Sequence, residues 1–95
     1  MKCDSIIFSG HAITRMFDRG LSKADVISTI HSGEIIFDYP DDEPYPSKLL
    51  LGMARNIPVH VVVAHDKKDY ACYVITAYIP SSKLWHIGFK TRKQQ

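Results

Sequence analysis

His11, Arg15 and Arg19 recur at i, i+4 and i+8, a spacing that puts all three side chains on one helix face. An imidazole changes charge near neutral pH, and a guanidinium one turn away would hold an anion beside it. Such a pair suits chemistry on a phosphate, with His11 as general acid or base. A solvated helix face carries the same residues and is the commoner source of this spacing. His60 interrupts the apolar run 59–63. A lone imidazole in a central strand is more often a satisfied core residue than a functional one. Thr76 and Tyr78 lie on the last long strand, but whether they share a face with His60 depends on the turn at 66–69. One residue of register reverses the answer. Tyr78 and Trp85 could stack on bases as in single-strand nucleic-acid binders, or could simply seal a sheet edge. Lys90, Arg92 and Lys93 could meet phosphates, or be plain solvated charge.

Five histidines raise the question of a metal, yet there is no H-x-H, H-x-x-x-H or C-x-x-C spacing. Neither a metal nor another cofactor is expected. The two cysteines, Cys3 and Cys72, stand far apart. Only three apolar residues precede Ser9-Gly10 near the N-terminus, too few for a secretory signal, and no run of 18 apolar residues occurs. A cytoplasmic chain that meets no membrane is therefore expected, with both thiols reduced and Cys72 packed as a small hydrophobe. An apolar content of 45% excludes a disordered chain, and 95 residues make one domain, 1–95. Net charge is +2, but unevenly spread. Residues 1–46 carry four Lys/Arg against eight Asp/Glu, and 47–95 carry eight against two. That basic second half suits phosphate or an acidic partner.

The elements that must position these residues follow from period and punctuation. Residues 5–8 read as a short strand, and Ser9 as the N-cap of a helix to about Arg19, closed by Gly20. Ile13, Met16 and Phe17 form its expected buried stripe. Ser22 caps a second helix, with Asp25 as an imperfect capping box and Leu21 and Val26 as a hydrophobic staple. Val26, Ile27 and Ile30 supply its buried face, and Gly33 reads as a left-handed stop. Then the period becomes two. Strands are expected over 34–39, 48–54, 57–65 and 70–79, the last being the longest and ended by Pro80. An acidic, proline-broken loop separates the first two, and Arg55-Asn56 is the next turn. The order predicts an α+β fold, a two-helix hairpin on one face of a four- to five-stranded antiparallel sheet.

In combination, His11-Ala-Ile-Thr-Arg-Met-Phe-Asp-Arg-Gly20, Gly33-Glu-Ile-Ile-Phe-Asp-Tyr39, His60-Val-Val62 and Ile75-Thr-Ala-Tyr-Ile-Pro80 are specific. Nearly the whole chain resembles a small bacterial and archaeal family of unknown function with H-A-x-x-R-M-x-x-R-G, G-x-I-I-x-x-Y, H-V-V and I-T-x-Y-x-P segments. That family is similar to the RelE/ParE and BrnT toxins. The resemblance implies a type II toxin–antitoxin module whose toxin cleaves messenger RNA, usually on the ribosome, without a metal. It also implies a cognate antitoxin with a CxxC zinc finger or a helix-turn-helix. By their chemistry, His11 and His60 would carry protons, Arg15 and Arg92 would meet phosphate, and Tyr78 would orient the substrate or act as an acid. Arg19, Thr76, Trp85 and Lys90 would complete the RNA contacts. The rival expectation is a non-catalytic protein-interaction or co-repressor domain of the same fold.

Overall fold

Two serines start the helices by the same device. In the computed structural model, which describes residues 1–94, the Ser9 hydroxyl accepts from the Ala12 N–H at 3.0 Å and begins α1, Gly10–Asp18. The Ser22 hydroxyl accepts from the Asp25 N–H at 3.1 Å, and the Asp25 carboxylate accepts back from the Ser22 N–H at 2.9 Å. The capping box of α2, Lys23–Ser32, is thus complete although an Asp fills the usual Glu place. Gly20, at φ +67°, makes the left-handed turn between the helices.

Five strands follow this frame: β1 Ser5–Phe8, β2 Glu34–Tyr39, β3 Ser47–Ala54, β4 Ile57–Asp66 and β5 Ala71–Tyr78. They form one sheet in the order β1-β5-β4-β3-β2. The β2-to-β5 meander is antiparallel throughout, and its tight turn at Arg55-Asn56 has positive φ at both residues, as a two-residue hairpin demands. The sheet as a whole is mixed rather than antiparallel, because β1 runs parallel to β5 with Ile6 beside Cys72. A four-residue strand carries no directional signal, and its partner lies over sixty residues away. The longest strand is β4, not β5.

Both helices cover one face. α1 lies over β5 and α2 over β3 and β4, so each is held by the sheet rather than as half of a tight hairpin. Ala12, Met16, Val26 and Ile30 meet Leu50, Val59, Val61, Val63, Val74 and Ala77 in the core. Burying each large aliphatic chain there contributes about 1.5–3 kcal/mol. The expected stripe on α1 is corrected: Ala12 and Met16 face the sheet, while Ile13 is 39% and Phe17 85% exposed. Ala12 and Met16, one turn apart, share the face turned to the sheet, which leaves Ile13 and Phe17, each one position on, at its outer flank. Ile27 is likewise only half-buried. Gly33 is no left-handed stop; its φ is −72°. It is needed for space, since a Cβ there would strike the Thr29 and Leu51 carbonyl oxygens where α2 meets β3.

The expectation of reduced thiols is overturned. Cys3 and Cys72 form a disulfide, with Cα atoms 5.6 Å apart. The parallel placement of β1 on β5 brings together two residues that sequence separates by 69 positions. No helix among the described residues is long and apolar enough to cross a membrane.

Candidate functional site

A break in alternation within β5 decides which side chains reach the site. Val63 pairs Val74 and Val62 pairs Thr76, so Ile75 is an extra residue with no partner on β4. Cys72 and Val74 face the core, and strict alternation would send Thr76 and Tyr78 there too. The bulge at Ile75 reverses the phase: Ala77 faces the core, and Thr76 and Tyr78 share the opposite face with His60.

The second half of β5 is also open at its edge. β1 pairs only with residues 71–74 and stops at Phe8. Ser9 turns the chain away, its N–H bonded to the Val74 carbonyl and its hydroxyl to the Ile75 carbonyl at 3.5 Å. α1 therefore runs alongside the uncovered edge. Between them lies a cleft of about 420 Å³ lined by His11 and Arg15 from α1, by Arg19 at its C-terminal cap, and by Thr76, Tyr78 and Ile79 from β5 and its end. Ser81, Leu84 and Trp85 close it from the C-terminal segment. Among the described residues no carboxylate lines it. Among the described residues neither Arg15 nor Arg19 is in an ion pair. The cleft is thus a small cationic site with hydroxyls opposite the cations, suited to an anion flanked by polar groups.

Of the expected site residues, His11, Arg15, Arg19, Thr76, Tyr78 and Trp85 are brought to this one cleft. Trp85 is only 5% exposed and sets its ring edge-on to His60 at 4.5 Å, so it forms the cleft's end instead of a platform for bases. His60 does not line the cleft. Its ring is fully buried behind Tyr78, with Nδ1 3.2 Å from the Tyr78 hydroxyl and Nε2 2.9 Å from the Phe89 carbonyl. Burial pulls its pKa down, and the bond to Phe89 opposes this only in part. Burial holds the Tyr78 phenol above its usual range; Tyr39 adds to that, and the charge of Arg92 offsets some of it. Arg92, exposed and bridged through its backbone to Trp85, is thus felt at Tyr78 without lining the cleft. Lys90 is engaged elsewhere, 2.9 Å from Glu34 on β2.

Ile79, Ser81 and Leu84 were not anticipated from sequence. A signal for Ser81 was present: after Pro80 it caps a turn, accepting the Lys83 N–H at 3.1 Å on its hydroxyl and the Leu84 and Trp85 N–H groups on its carbonyl. Among the described residues no three His, Cys, Asp or Glu side chains are grouped so as to hold a metal ion.

The helix that carries His11, Arg15 and Arg19 and the strand that carries Thr76 and Tyr78 are both spanned by one family match, over residues 8–79. The chain belongs to DUF4258, described as a domain of unknown function. Comparison with curated proteins and with solved structures finds no match. The DUF4258 region holds both long walls of the cleft. Ser81, Leu84, Trp85 and the Phe89 carbonyl lie beyond it.

Proposed function

We propose that the cleft between α1 and β5 binds the phosphodiester backbone of messenger RNA, and that the chain is the toxin of a type II toxin–antitoxin module acting as a metal-independent ribonuclease. The observation that carries this reading is the cleft itself, with His11, Arg15 and Arg19 facing Thr76 and Tyr78 and no carboxylate among them. The resemblance of the chain's own sequence motifs to a family similar to the RelE/ParE and BrnT toxins supports this reading. In the reaction the ribose 2′-oxygen attacks phosphorus, the bond from phosphorus to the 5′-oxygen breaks, and a 2′,3′-cyclic phosphate is left. One proton leaves the 2′-hydroxyl and one reaches the departing 5′-oxygen. Among the described residues His11 is the one imidazole lining the cleft, and it delivers the second proton. Arg15 and Arg19 neutralise the phosphate, with Arg92 adding positive charge near Tyr78. Thr76 and Tyr78 orient the ribose. The 2′-hydroxyl gives its proton to water in the open cleft, while His60, buried behind Tyr78, takes none and holds the phenol in place.

Inducing the chain in a bacterium without its antitoxin should arrest growth and shorten messenger RNA lifetimes. The purified protein should cleave RNA in the presence of EDTA and leave cyclic phosphate ends. Normal growth at good levels of soluble wild-type protein would reject the toxin reading. It would favour a non-catalytic interaction or co-repressor domain, a reading supported by the exposed Ile35, Phe37 and Tyr39 on the edge strand β2. On the toxin reading the partner would be a cognate antitoxin carrying a CxxC zinc finger or a helix-turn-helix.

A further inference from the structure

His60 and Tyr78 are register partners on β4 and β5, and their hydrogen bond fixes which way a proton points. A carbonyl oxygen can only accept, so His60 Nε2, 2.9 Å from the Phe89 carbonyl, carries the ring proton. A neutral imidazole with its proton on Nε2 has a bare lone pair on Nδ1. The ring is fully buried, and among the described residues no carboxylate pairs with it to hold a second proton. Nδ1 therefore accepts, and the Tyr78 hydroxyl, 3.2 Å away, donates. The phenol has one proton and it points inward. Its remaining lone pair faces the cleft, where Arg15 and Arg19 stand opposite.

We propose that Tyr78, held by His60 as a hydrogen-bond acceptor, selects ribose over deoxyribose in this cleft. A phosphate seated on Arg15 brings the adjoining 2′-hydroxyl to the Tyr78 oxygen, to which it donates; a deoxyribose has nothing to donate. A freely rotating phenol would discriminate poorly, because it could turn its proton to a phosphate oxygen of either nucleic acid. His60 removes that freedom and is a positioning residue. The lock is completed from outside the DUF4258 region, by the Phe89 carbonyl of the C-terminal segment. The inference rests on the reading of the cleft as a phosphodiester site.

The test compares three oligonucleotides of one sequence, RNA, DNA and 2′-O-methyl RNA, binding to full-length His11→Ala protein, so that the RNA is not consumed. A net neutral hydrogen bond predicts RNA binding about 3- to 10-fold tighter than the other two. Tyr78→Phe in the same background should bring RNA down to the DNA value and leave DNA unchanged. Nitrogen-15 spectra should show His60 protonated on Nε2 and bare on Nδ1, with the Nδ1 signal moving in Tyr78→Phe. The 2′-O-methyl arm and the tautomer measurement need no change at Tyr78, so they hold even if that variant fails to fold. Arg15→Ala should weaken all three oligonucleotides alike. Equal binding of RNA and DNA, both lost in Arg15→Ala, would overturn the selection by Tyr78 while keeping the phosphodiester cleft. So would a proton found on Nδ1. Binding that ignores Arg15, or no binding at all, would overturn the cleft reading and this inference with it.

Discussion

Residues 71–74 of β5 have a strand on each side, β1 and β4; their inward side chains Cys72 and Val74 are buried, and a disulfide ties Cys72 to Cys3. Residues 76–78 have β4 alone, follow a bulge, and turn two hydroxyls toward a cleft. One strand thus carries stability in its first half and candidate chemistry in its second, with a single unpaired residue between. The contrast teaches how a small domain can keep a site without weakening its core. The site takes the edge that a short β1 leaves uncovered, and the bulge keeps its hydroxyls out of the apolar layer.

If the halves are separable, damage to each should leave the other standing. The largest effect expected is on cleavage. His11→Ala and Arg15→Ala should each lower the rate by about 10²–10⁴-fold. Both side chains are exposed, so the denaturation midpoint should stay within about 0.5 kcal/mol of wild type. A variant that loses activity only because it unfolds would break the comparison; urea titration beside the cleavage assay tells the two apart.

The next effect falls on the closed half. In the chain-entropy account a bridge between residues 69 apart contributes about 4 kcal/mol, and strain or residual denatured structure lowers that. Cys3→Ser should therefore cost about 2–4 kcal/mol and lower Tm by roughly 10–20 °C. Cleavage measured well below that Tm should persist. A fall in rate at a temperature where the variant is still folded would mean that the cleft leans on the bridge.

The helices offer a smaller test of the same kind. Ser22→Ala breaks the capping box of α2, which lies away from the cleft, and should cost about 1 kcal/mol with the cleavage rate unchanged. Ser9→Ala removes a similar cap from α1, but Ser9 also holds the start of that helix to the edge of β5. Its stability cost should be alike, and the rate should fall as well. Equal rates for the two variants would show that the edge contact does not position His11.

Much of this frame was legible in the residues. Ser9, Ser22 and Gly20 bound the helices, and the three antiparallel strands and the Arg55-Asn56 turn follow from local chemistry that acts over a few positions. The stripe of His11, Arg15 and Arg19 was visible for the same reason. What stayed hidden depends on partners distant in sequence. Nothing in residues 5–8 says that β1 runs parallel to β5, so the meeting of Cys3 with Cys72 could not be seen either. The exposed Ile13 and Phe17 show that an apolar count names a helix face without saying which flank of it meets the sheet. The bulge at Ile75 is a property of the β4–β5 ladder rather than of Ile75. The buried state of His60 depends on a C-terminal segment whose backbone carbonyl, at Phe89, makes the decisive contact, and a carbonyl has no sequence signature.

The smallest expected effect concerns that buried imidazole, and its sign can be worked out. Burial depresses the pKa of His60 in the folded protein below its ordinary value of 6.5. As pH falls through 6.5, the unfolded chain takes up a proton that folded His60 refuses. The unfolded state then binds more protons, and stability declines. The contribution of neutral His60 is thus present in full above about pH 6.5 and is lost as pH drops toward its depressed folded value. Asp25 does not enter this window. Its pKa lies below the ordinary 3.8, chiefly because the Ser22 N–H bonds its carboxylate, so its contribution is lost only in stronger acid. Urea midpoints taken from about pH 8 to about pH 5.5 should fall for the wild type. They should fall less steeply for His60→Gln, which is less stable throughout but has no proton to take at that position. A wild-type midpoint that rises on acidification, or an identical slope in the variant, would mean that position 60 carries charge in the folded state. His60 could not then present a bare nitrogen to Tyr78, and the open half of β5 would lose the group that aims its hydroxyl.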